Sequence, residues 1–272
     1  MKPRHQTVLL IFLIAFTFLN LVPILWGLVI SLKQPADAFS IPPTLIFKPT
    51  LLFHWEVWVE RGFLNFLLNS IVIAAGTICI SVPIGTLAAY GLARTRSRYA
   101  GSLLFGLLAI RMLPQILLAI PFFVMARWLS LIDTYAMMIL AMVAINQPFT
   151  IWLMRSFFVD VPVELDEAAM IDGCNRWQAF WHVVLPTVRP GLAVTSLFSM
   201  LLAYNEFLFA LILTGSRTKT LPVAIAEYGG EDIHYWSLSA AGAIGIMLPA
   251  VIFTILVQRH LIRGLTFGAV KG

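Results

Sequence analysis

The chain has 272 residues, of which 60% are hydrophobic and 11% are charged, and its formal net charge is +5. A soluble domain averages about 45–50% apolar and about 25% charged residues, so this composition excludes an ordinary soluble protein and indicates a membrane protein. The positive charge requires no nucleic-acid partner, because basic cytoplasmic loops give a membrane protein the same balance.

Six apolar runs follow one another along the chain, each about long enough to cross a membrane as a helix. The predicted spans are residues 8–32, 66–93, 101–126, 134–154, 191–214 and 237–258. The first run is too long for the apolar core of a signal peptide and no small-residue cleavage site follows it, so we expect it to be retained. The sequence predicts an all-α, polytopic membrane protein with a single transmembrane domain over residues 1–272.

The distribution of lysine and arginine predicts the orientation of these spans. With a cytoplasmic N-terminus, 11 of the 18 basic residues lie on the inside, 6 lie in outside loops, and Arg111 lies within the third span. An excess of basic residues marks the cytoplasmic side. We therefore expect both termini and the loop 159–190 in the cytoplasm, and the loop 33–65 outside.

The loop 159–190 is unusually acidic for so apolar a chain. Carboxylates that include Glu164 and Glu167 occupy the predicted first turns of a helix, where they interact favourably with the helix dipole. Gly173 is suited to the left-handed stop of that helix, and Asn175 can cap a second one. Residue chemistry leaves two interpretations open: a solvated interhelical loop, or a helix-turn-helix that inserts into a groove on a partner.

A motif in this loop resembles a known signature. EAAMIDG at 167–173, nine further residues and then VVLP at 183–186 are similar to the EAA signature of bacterial ABC-importer permeases, with Val183 in place of the usual isoleucine. Other stretches resemble the carbohydrate, maltose-type branch of that family. They are Asn69–Ser70, AAYGLAR at 88–94, RMLPQILLAIP at 111–121, YNEFLFAL at 204–211 and GLTFGAVKG at 264–272.

The resemblance implies the type I importer permease fold and a bacterial inner-membrane location. It also implies a cytoplasmic loop that docks on a separate ATPase and couples ATP hydrolysis to alternating access. The residues it assigns to coupling are Glu164, Glu167, Ala168, Ala169, Asp172, Gly173, Leu185 and Pro186. The C-terminal stretch 264–272 is expected to contact the ATPase or the seam between subunits.

The resemblance further implies the partners of such a permease. They are a homologous second permease, two copies of the ATPase, an extracytoplasmic sugar-binding protein and the surrounding lipid, with no nucleic acid. The sequence contains no GxxxxGK[ST] phosphate loop, so we expect a non-catalytic subunit without a cofactor or metal of its own. ATP and magnesium then belong to the ATPase subunits.

Four polar residues within the predicted spans are candidates for a substrate pathway: Arg111, Tyr204, Asn205 and Glu206. A charge at that depth is costly, so Arg111 is expected to face protein or water, either in a substrate cavity or as a structural contact. Glu206 leaves open a sugar contact, a pair with Arg111, or a bridge to the partner permease. The alternative function is a self-sufficient secondary sugar carrier that uses Glu206 as its proton site, which predicts internal repeats that the two halves do not evidently show.

Overall fold

The computed structural model describes residues 3–38, 40–227 and 233–266, and within these ranges the chain is helical and has no β-strand. In chain order the helices are α1 Pro3–Ser31, α2 Pro35–Ala38, α3 Leu52–Trp55, α4 Phe63–Arg94, α5 Ala100–Arg111, α6 Gln115–Trp128, α7 Tyr135–Val159, α8 Glu164–Ile171, α9 Arg176–Ala179, α10 Leu185–Thr187, α11 Arg189–Tyr204, α12 Leu208–Leu213, α13 Leu221–Ala226 and α14 Ile233–Thr266. Two π-helical turns, Glu56–Glu60 and Phe180–Val184, extend α3 and α9. The predicted all-α class is confirmed.

Four continuous helices among the described residues are long and apolar enough to cross a membrane. They are Thr7–Ser31, Phe63–Arg94, Tyr135–Val159 and Tyr235–Gln258. Two further helix pairs qualify only when joined: Ala100–Arg111 with Gln115–Trp128, bent by 87°, and Arg176–Thr187 with Arg189–Tyr204, bent by 78°. The described residues therefore hold four candidate spans, or six if each bent pair counts as one, and the predicted number of six stays a prediction.

The third predicted span is broken where α5 ends and α6 begins. Pro114 precedes α6 with a ψ of 126°, outside the helical range. Proline has no N–H to donate and disfavours helical geometry in the residue before it, so the helix stops here. Arg111 is consequently the last residue of α5 and lies beside the break within the third predicted span.

The fifth predicted span, 191–214, is also interrupted. Its first helix, α11, has 16 residues and is therefore about 24 Å long, shorter than the roughly 30 Å hydrocarbon core of a bilayer. Asn205 Nδ2 donates to the Leu201 carbonyl at 2.9 Å, and Glu206 Oε1 accepts from the Phe209 amide at 3.0 Å. Such side-chain bonds to local backbone compete with helix continuation, which accounts for the break before α12.

Contacts divide the chain into two compact units: Met1–Phe66 with Leu221–Leu248, and Leu67–Thr220 with Pro249–Gly272. The prediction of one permease domain over residues 1–272 stays a prediction. In the first unit, the predicted outside loop 33–65 begins at Lys33, which is 1% exposed. The Lys33 ammonium lies 5.1 Å from the ring centroid of Trp26 and 5.2 Å from that of Phe47, and such cation–π contacts stabilise a desolvated charge.

The second unit is organised around α7. This helix packs against α5, α11 and α12, and it meets α4 where the hydroxyls of Ser81 and Thr150 lie 3.4 Å apart. Gly85 of α4 lies beside Thr150, so the two backbones approach closely, as helices in membranes do at small residues. The loop between α7 and α11 lies at the C-terminal ends of α4 and α7.

Candidate functional site

The acidic loop folds as two short helices joined at Gly173. The φ of Gly173 is +90°, the left-handed geometry that glycine adopts without steric cost, and it terminates α8. Asn175 then caps α9 by a reciprocal capping box with Gln178, with both hydrogen bonds at 2.9 Å. The local helix-turn-helix predicted from Gly173 and Asn175 is present, while its role in coupling stays a prediction.

An apolar cluster fastens the second half of this loop to the ends of α4 and α7. Phe180 and Val184 are buried together with Ala89 of α4 and with Met154 and Phe158 of α7. The loop then returns toward α11 through α10, in which Leu185 and Pro186 are half-buried and Leu185 packs against the same cluster.

A polar network fastens the first half of the loop, α8, to the same helix ends. Arg94 Nε donates to Asp166 Oδ2 at 2.7 Å, and the Tyr90 hydroxyl donates to Asp166 Oδ1 at 2.5 Å. Arg94 Nη1 also donates to the Phe158 carbonyl at 3.1 Å, at the end of α7. The Arg94 and Asp166 side chains are 13% and 9% exposed, so this is a largely desolvated, hydrogen-bonded ion pair. We call Tyr90, Arg94 and Asp166 the α8 anchor.

The opposite face of α8 is exposed. Glu164, Glu167, Ala168 and Asp172 all present accessible side chains there. Ala169, by contrast, is 6% exposed and faces its own chain, and its assignment to the coupling contact stays a prediction. A partner that binds this face would contact Ala168 and the carboxylates beside it.

A cleft of about 510 Å³ opens beside this face. Its charged lining residues are Arg94, Arg96, Arg176, Asp166 and Glu167. Arg96 and Arg176 are exposed, whereas Arg94 and Asp166 neutralise each other. Glu167 therefore stands at the edge of a mixed-charge surface that can form ion pairs with a partner of complementary pattern.

The α8 anchor was not among the residues singled out from the sequence, although its signal is there. Tyr90 and Arg94 are four residues apart on one face of α4, inside the AAYGLAR stretch, and Asp166 and Ala169 are three apart on the inner face of α8. The resemblance to the EAA signature assigns the coupling contact to Glu167. Helical spacing, by contrast, indicates that Asp166 and Glu167 face different directions.

The candidate pathway residues are placed differently from one another. Arg111 is half-buried at the α5–α6 break, with its guanidinium 5.3 Å from the Phe149 ring centroid, and it lines a small pocket of about 130 Å³. Tyr204 is 1% exposed, so in this chain it does not line an open surface. Asn205 is exposed, and Glu206 binds the Phe209 amide as described for the α11–α12 break. The described residues show no ion pair between Arg111 and Glu206.

A second polar network lies at the other end of α4. The Asn69 amide nitrogen donates to the carbonyls of Arg217 and Lys219, at 3.3 and 2.9 Å, and its oxygen accepts from the Tyr135 hydroxyl at 2.6 Å. Asn69 is 7% exposed and was noted in the sequence only as part of an Asn–Ser pair. This single side chain joins α4, the start of α7 and the loop that follows α12.

The predicted contact of residues 264–272 with an ATPase lies mostly outside the described residues, which end at 266. No side chain of that stretch is described, so its contact stays a prediction.

The family model and the relatives that match this chain all describe components of membrane transport systems. A family model described as "Binding-protein-dependent transport system inner membrane component" matches residues 81–267. The trehalose/maltose transport system permease protein MalG of Thermococcus litoralis is 35% identical over 274 residues, which cover 98% of this chain and 97% of that protein. The sulfoquinovosyl glycerol transport system permease protein SmoH of Agrobacterium fabrum is 32% identical over 256 residues, covering 93% and 90%.

Among solved structures, the chain is similar to one in a bacterial ABC transporter involved in the import of the acidic polysaccharide alginate. The TM-score is 0.72 with 22% sequence identity, and the match covers 94% of this chain and 95% of that one. At this identity the likeness shows the fold, which is that of an ABC-importer permease.

Proposed function

The chain belongs to the family of binding-protein-dependent transport system inner membrane components, and we propose that it is a permease subunit of an ABC importer for a sugar or a sugar derivative. The observation that carries this proposal is the family match over residues 81–267, which includes the whole helix-turn-helix loop. The relatives' names supply the substrate class, since one refers to trehalose and maltose and the other to sulfoquinovosyl glycerol.

The outer face of α8 is the proposed contact with a separate ATPase. Glu167 and Ala168 are exposed side by side, and a small residue next to a carboxylate suits a helix that enters a groove on a partner. Glu164 and Asp172 extend the acidic face, and Gly173 sets the turn. The chain itself has no phosphate-binding loop, so ATP and magnesium are proposed to be held by the ATPase, and this subunit is non-catalytic.

The remaining partners follow from the same proposal. A homologous second permease completes the pathway, two ATPase copies serve the two permeases, and a binding protein delivers the sugar on the extracytoplasmic side.

Both termini of this chain are proposed to be cytoplasmic, as the 11 to 6 distribution of basic residues predicts. Arg111, which is half-buried, and Asn205, which is exposed, are proposed pathway residues, and both lie beside a helix break, where uncovered backbone groups can face a polar cavity.

Purification of the chain from its native membrane, followed by mass spectrometry, tests the assembly. We expect an ABC ATPase, a second permease and a sugar-binding protein to be recovered with it. Recovery of the chain as a stable complex with itself alone would contradict the proposal.

Substitution of Glu167 tests the coupling contact. In the reconstituted importer, Glu167→Ala is expected to lower the ATPase activity that the loaded binding protein stimulates by about 5-fold or more, as loss of a coupling free energy of 1 kcal/mol or above implies. Asp160→Asn is the matched control, because Asp160 is an exposed carboxylate of the same loop outside the motif. Wild-type stimulation by Glu167→Ala in an intact complex would remove Glu167 from the coupling site.

A further inference from the structure

The α8 anchor connects the proposed ATPase contact to the transmembrane helix α4. We propose that Asp166, held by Arg94 and Tyr90, is a positioning residue that makes α8 and the C-terminal end of α4 move together, so that displacement of α8 is passed to α4. This inference rests on the proposed function, since it concerns how a contact on the outer face of α8 acts on the membrane part.

Little apolar surface holds α8. Its eight residues bury only Asp166 and Ala169, and alanine contributes a small apolar area. An isolated helix of this length is not stable in water, so α8 depends on its attachments. The second half of the loop, by contrast, is fastened by the buried side chains of Phe180 and Val184. α8 also packs against α9 and the π-helical turn Phe180–Val184, and the polar anchor is its hydrogen-bonded attachment to α4.

The geometry of the α8 anchor restrains the Asp166 carboxylate. Both carboxylate oxygens of Asp166 accept a hydrogen bond, one from a guanidinium and one from a phenol, and these approach from successive turns of α4. The Tyr90 ring is in turn packed against Phe180, with ring centroids 4.8 Å apart, which fixes the direction of its hydroxyl. Two charge-assisted hydrogen bonds to one carboxylate restrain both its distance and its rotation relative to α4.

α4 connects the α8 anchor to a second polar network. The helix has 32 residues, or about 48 Å at 1.5 Å per residue. Near its other end Asn69 binds the backbone of Arg217 and Lys219 and the hydroxyl of Tyr135. We therefore expect a shift of α4 at the anchor to reach this hydrogen-bonded loop on the predicted extracytoplasmic side, and the measurements below test that transmission.

Functional measurements on the complete importer test the proposal. Arg94→Gln and Asp166→Asn are expected to leave the complex assembled and its basal ATPase activity in place, and to reduce stimulation by the loaded binding protein about 10-fold or more. The double variant is expected to lose less stimulation than the two single losses combined, because both variants remove the shared bond between Arg94 and Asp166. Arg98→Gln is the matched control, since Arg98 is exposed and donates to the hydroxyl of its neighbour Tyr99.

The outcomes separate this inference from the proposed function. If the wild-type importer is stimulated and the anchor variants are stimulated equally in an intact complex, the anchor has no transmitting role and the function stands. If the wild-type complex itself shows no stimulation by a binding protein, the proposed function fails. Full additivity of Arg94→Gln and Asp166→Asn would also overturn the inference.

Hydrogen exchange on the permease without its ATPase provides a readout that does not depend on assembly. Asp166→Asn is expected to speed exchange of the amides of residues 164–172 about 10-fold or more, as loss of hydrogen bonds to a charged group implies, and to leave residues 180–188 unchanged. Unchanged exchange in 164–172 would overturn the proposal. A parallel rise in 180–188 would do so as well, because the anchor would then support the whole loop rather than α8.

Discussion

Asp133 and Thr218 are joined by two hydrogen bonds across 85 residues of sequence. Asp133 Oδ1 accepts from the Thr218 amide at 2.9 Å and from the Thr218 hydroxyl at 2.7 Å. The same carboxylate accepts from the amides of Gly215 and Arg217, at 2.8 and 3.0 Å. Asp133 thus holds the loop after α12 against the turn between α6 and α7, which is also the loop that Asn69 binds from α4.

Asp133→Asn is expected to destabilise this end of the protein. Burial raises the pKa of Asp133, but the hydrogen bonds from Thr218 and from the three amides outweigh it and lower the pKa to about 2. An asparagine has one acceptor oxygen instead of two, and its NH₂ group faces other donors. We expect a loss of about 1–3 kcal/mol at pH 7, measured by thermal unfolding of the purified chain in detergent.

The pH dependence of that loss follows from the lowered pKa. The ionised Asp133 stabilises the folded state above its unfolded pKa of about 3.9, and this contribution is lost as the pH falls toward 2. The gap in unfolding temperature between wild type and Asp133→Asn should therefore be constant from pH 8 to 5 and shrink at pH 3. A gap of equal size at pH 3 would contradict the assignment, and Asp160→Asn serves as the exposed control.

The contact between α4 and α7 predicts a selective effect of added volume. A Cβ at Gly85 would overlap the Thr150 methyl Cγ2 and lie 3.1 Å from Gln147 Oε1, and the β-branched Thr150 has little rotamer freedom in a helix. Gly85→Ala is therefore expected to cost about 1–3 kcal/mol of unfolding free energy. Combining it with Thr150→Ser, which removes that methyl group, should restore most of the loss.

Gly76→Ala is the matched comparison on the same helix. Its new methyl group would meet the terminal Cδ1 of Ile139, which can rotate away. Thermal unfolding of both variants should show a clearly larger loss for Gly85→Ala. An equal loss at the two positions would mean that α4 and α7 separate easily, contrary to their packing here.

Gly173 offers a test of the turn in the helix-turn-helix loop. Its φ of +90° is strained for any residue with a Cβ, at a cost of roughly 1–2 kcal/mol. No neighbouring atom lies within 4 Å of a Cβ at this position, so Gly173→Ala tests backbone geometry alone. We expect reduced ATPase stimulation with an intact transmembrane part, and a smaller effect for Gly173→Asn, since asparagine tolerates left-handed geometry better. Gly106→Ala, which is helical and has open space, is the control.

Sequence reasoning located the long apolar helices well, because hydropathy depends only on composition along the chain. The predicted spans 66–93 and 134–154 correspond to α4 and to most of α7, the observed ends lying within five residues. The interruptions after Arg111 and Tyr204 were less predictable. Proline is present both at 114 and at 121, yet only Pro114 ends a helix, and the choice between them depends on tertiary packing.

In the loop 159–190, too, the features set by local sequence are predictable and those set by tertiary packing are not. Gly173 and Asn175 determine their turn and cap through local chemistry, which a sequence displays directly. Whether Asp166 or Glu167 faces the membrane part depends on how α8 is rotated against α4, a relation set by Tyr90 and Arg94 more than 70 residues away. Helical spacing shows that these two carboxylates face different directions, and the observed fold is needed to show which of them meets α4.

The role of Glu206 differs between an ATP-driven importer and a proton-coupled carrier, so substitutions at this position can tell the two apart. Its Oε1 accepts from the Phe209 amide at 3.0 Å and so caps α12, a structural role that needs an acceptor and not a titratable group. Glutamine keeps that oxygen, so Glu206→Gln is expected to change the unfolding free energy by less than about 0.5 kcal/mol. Glu206→Ala removes the acceptor and should cost about 0.5–2 kcal/mol.

Uptake in proteoliposomes that contain the assembled importer completes this test. Glu206→Gln should transport sugar at close to the wild-type rate when ATP is enclosed, and neither protein should respond to a proton gradient alone. Because an amide cannot exchange protons, a carrier that used Glu206 as its proton site would lose uptake in Glu206→Gln while remaining folded. Such a loss, with a wild-type unfolding temperature and with Glu60→Gln as an unaffected control, would assign Glu206 to transport rather than to the cap of α12.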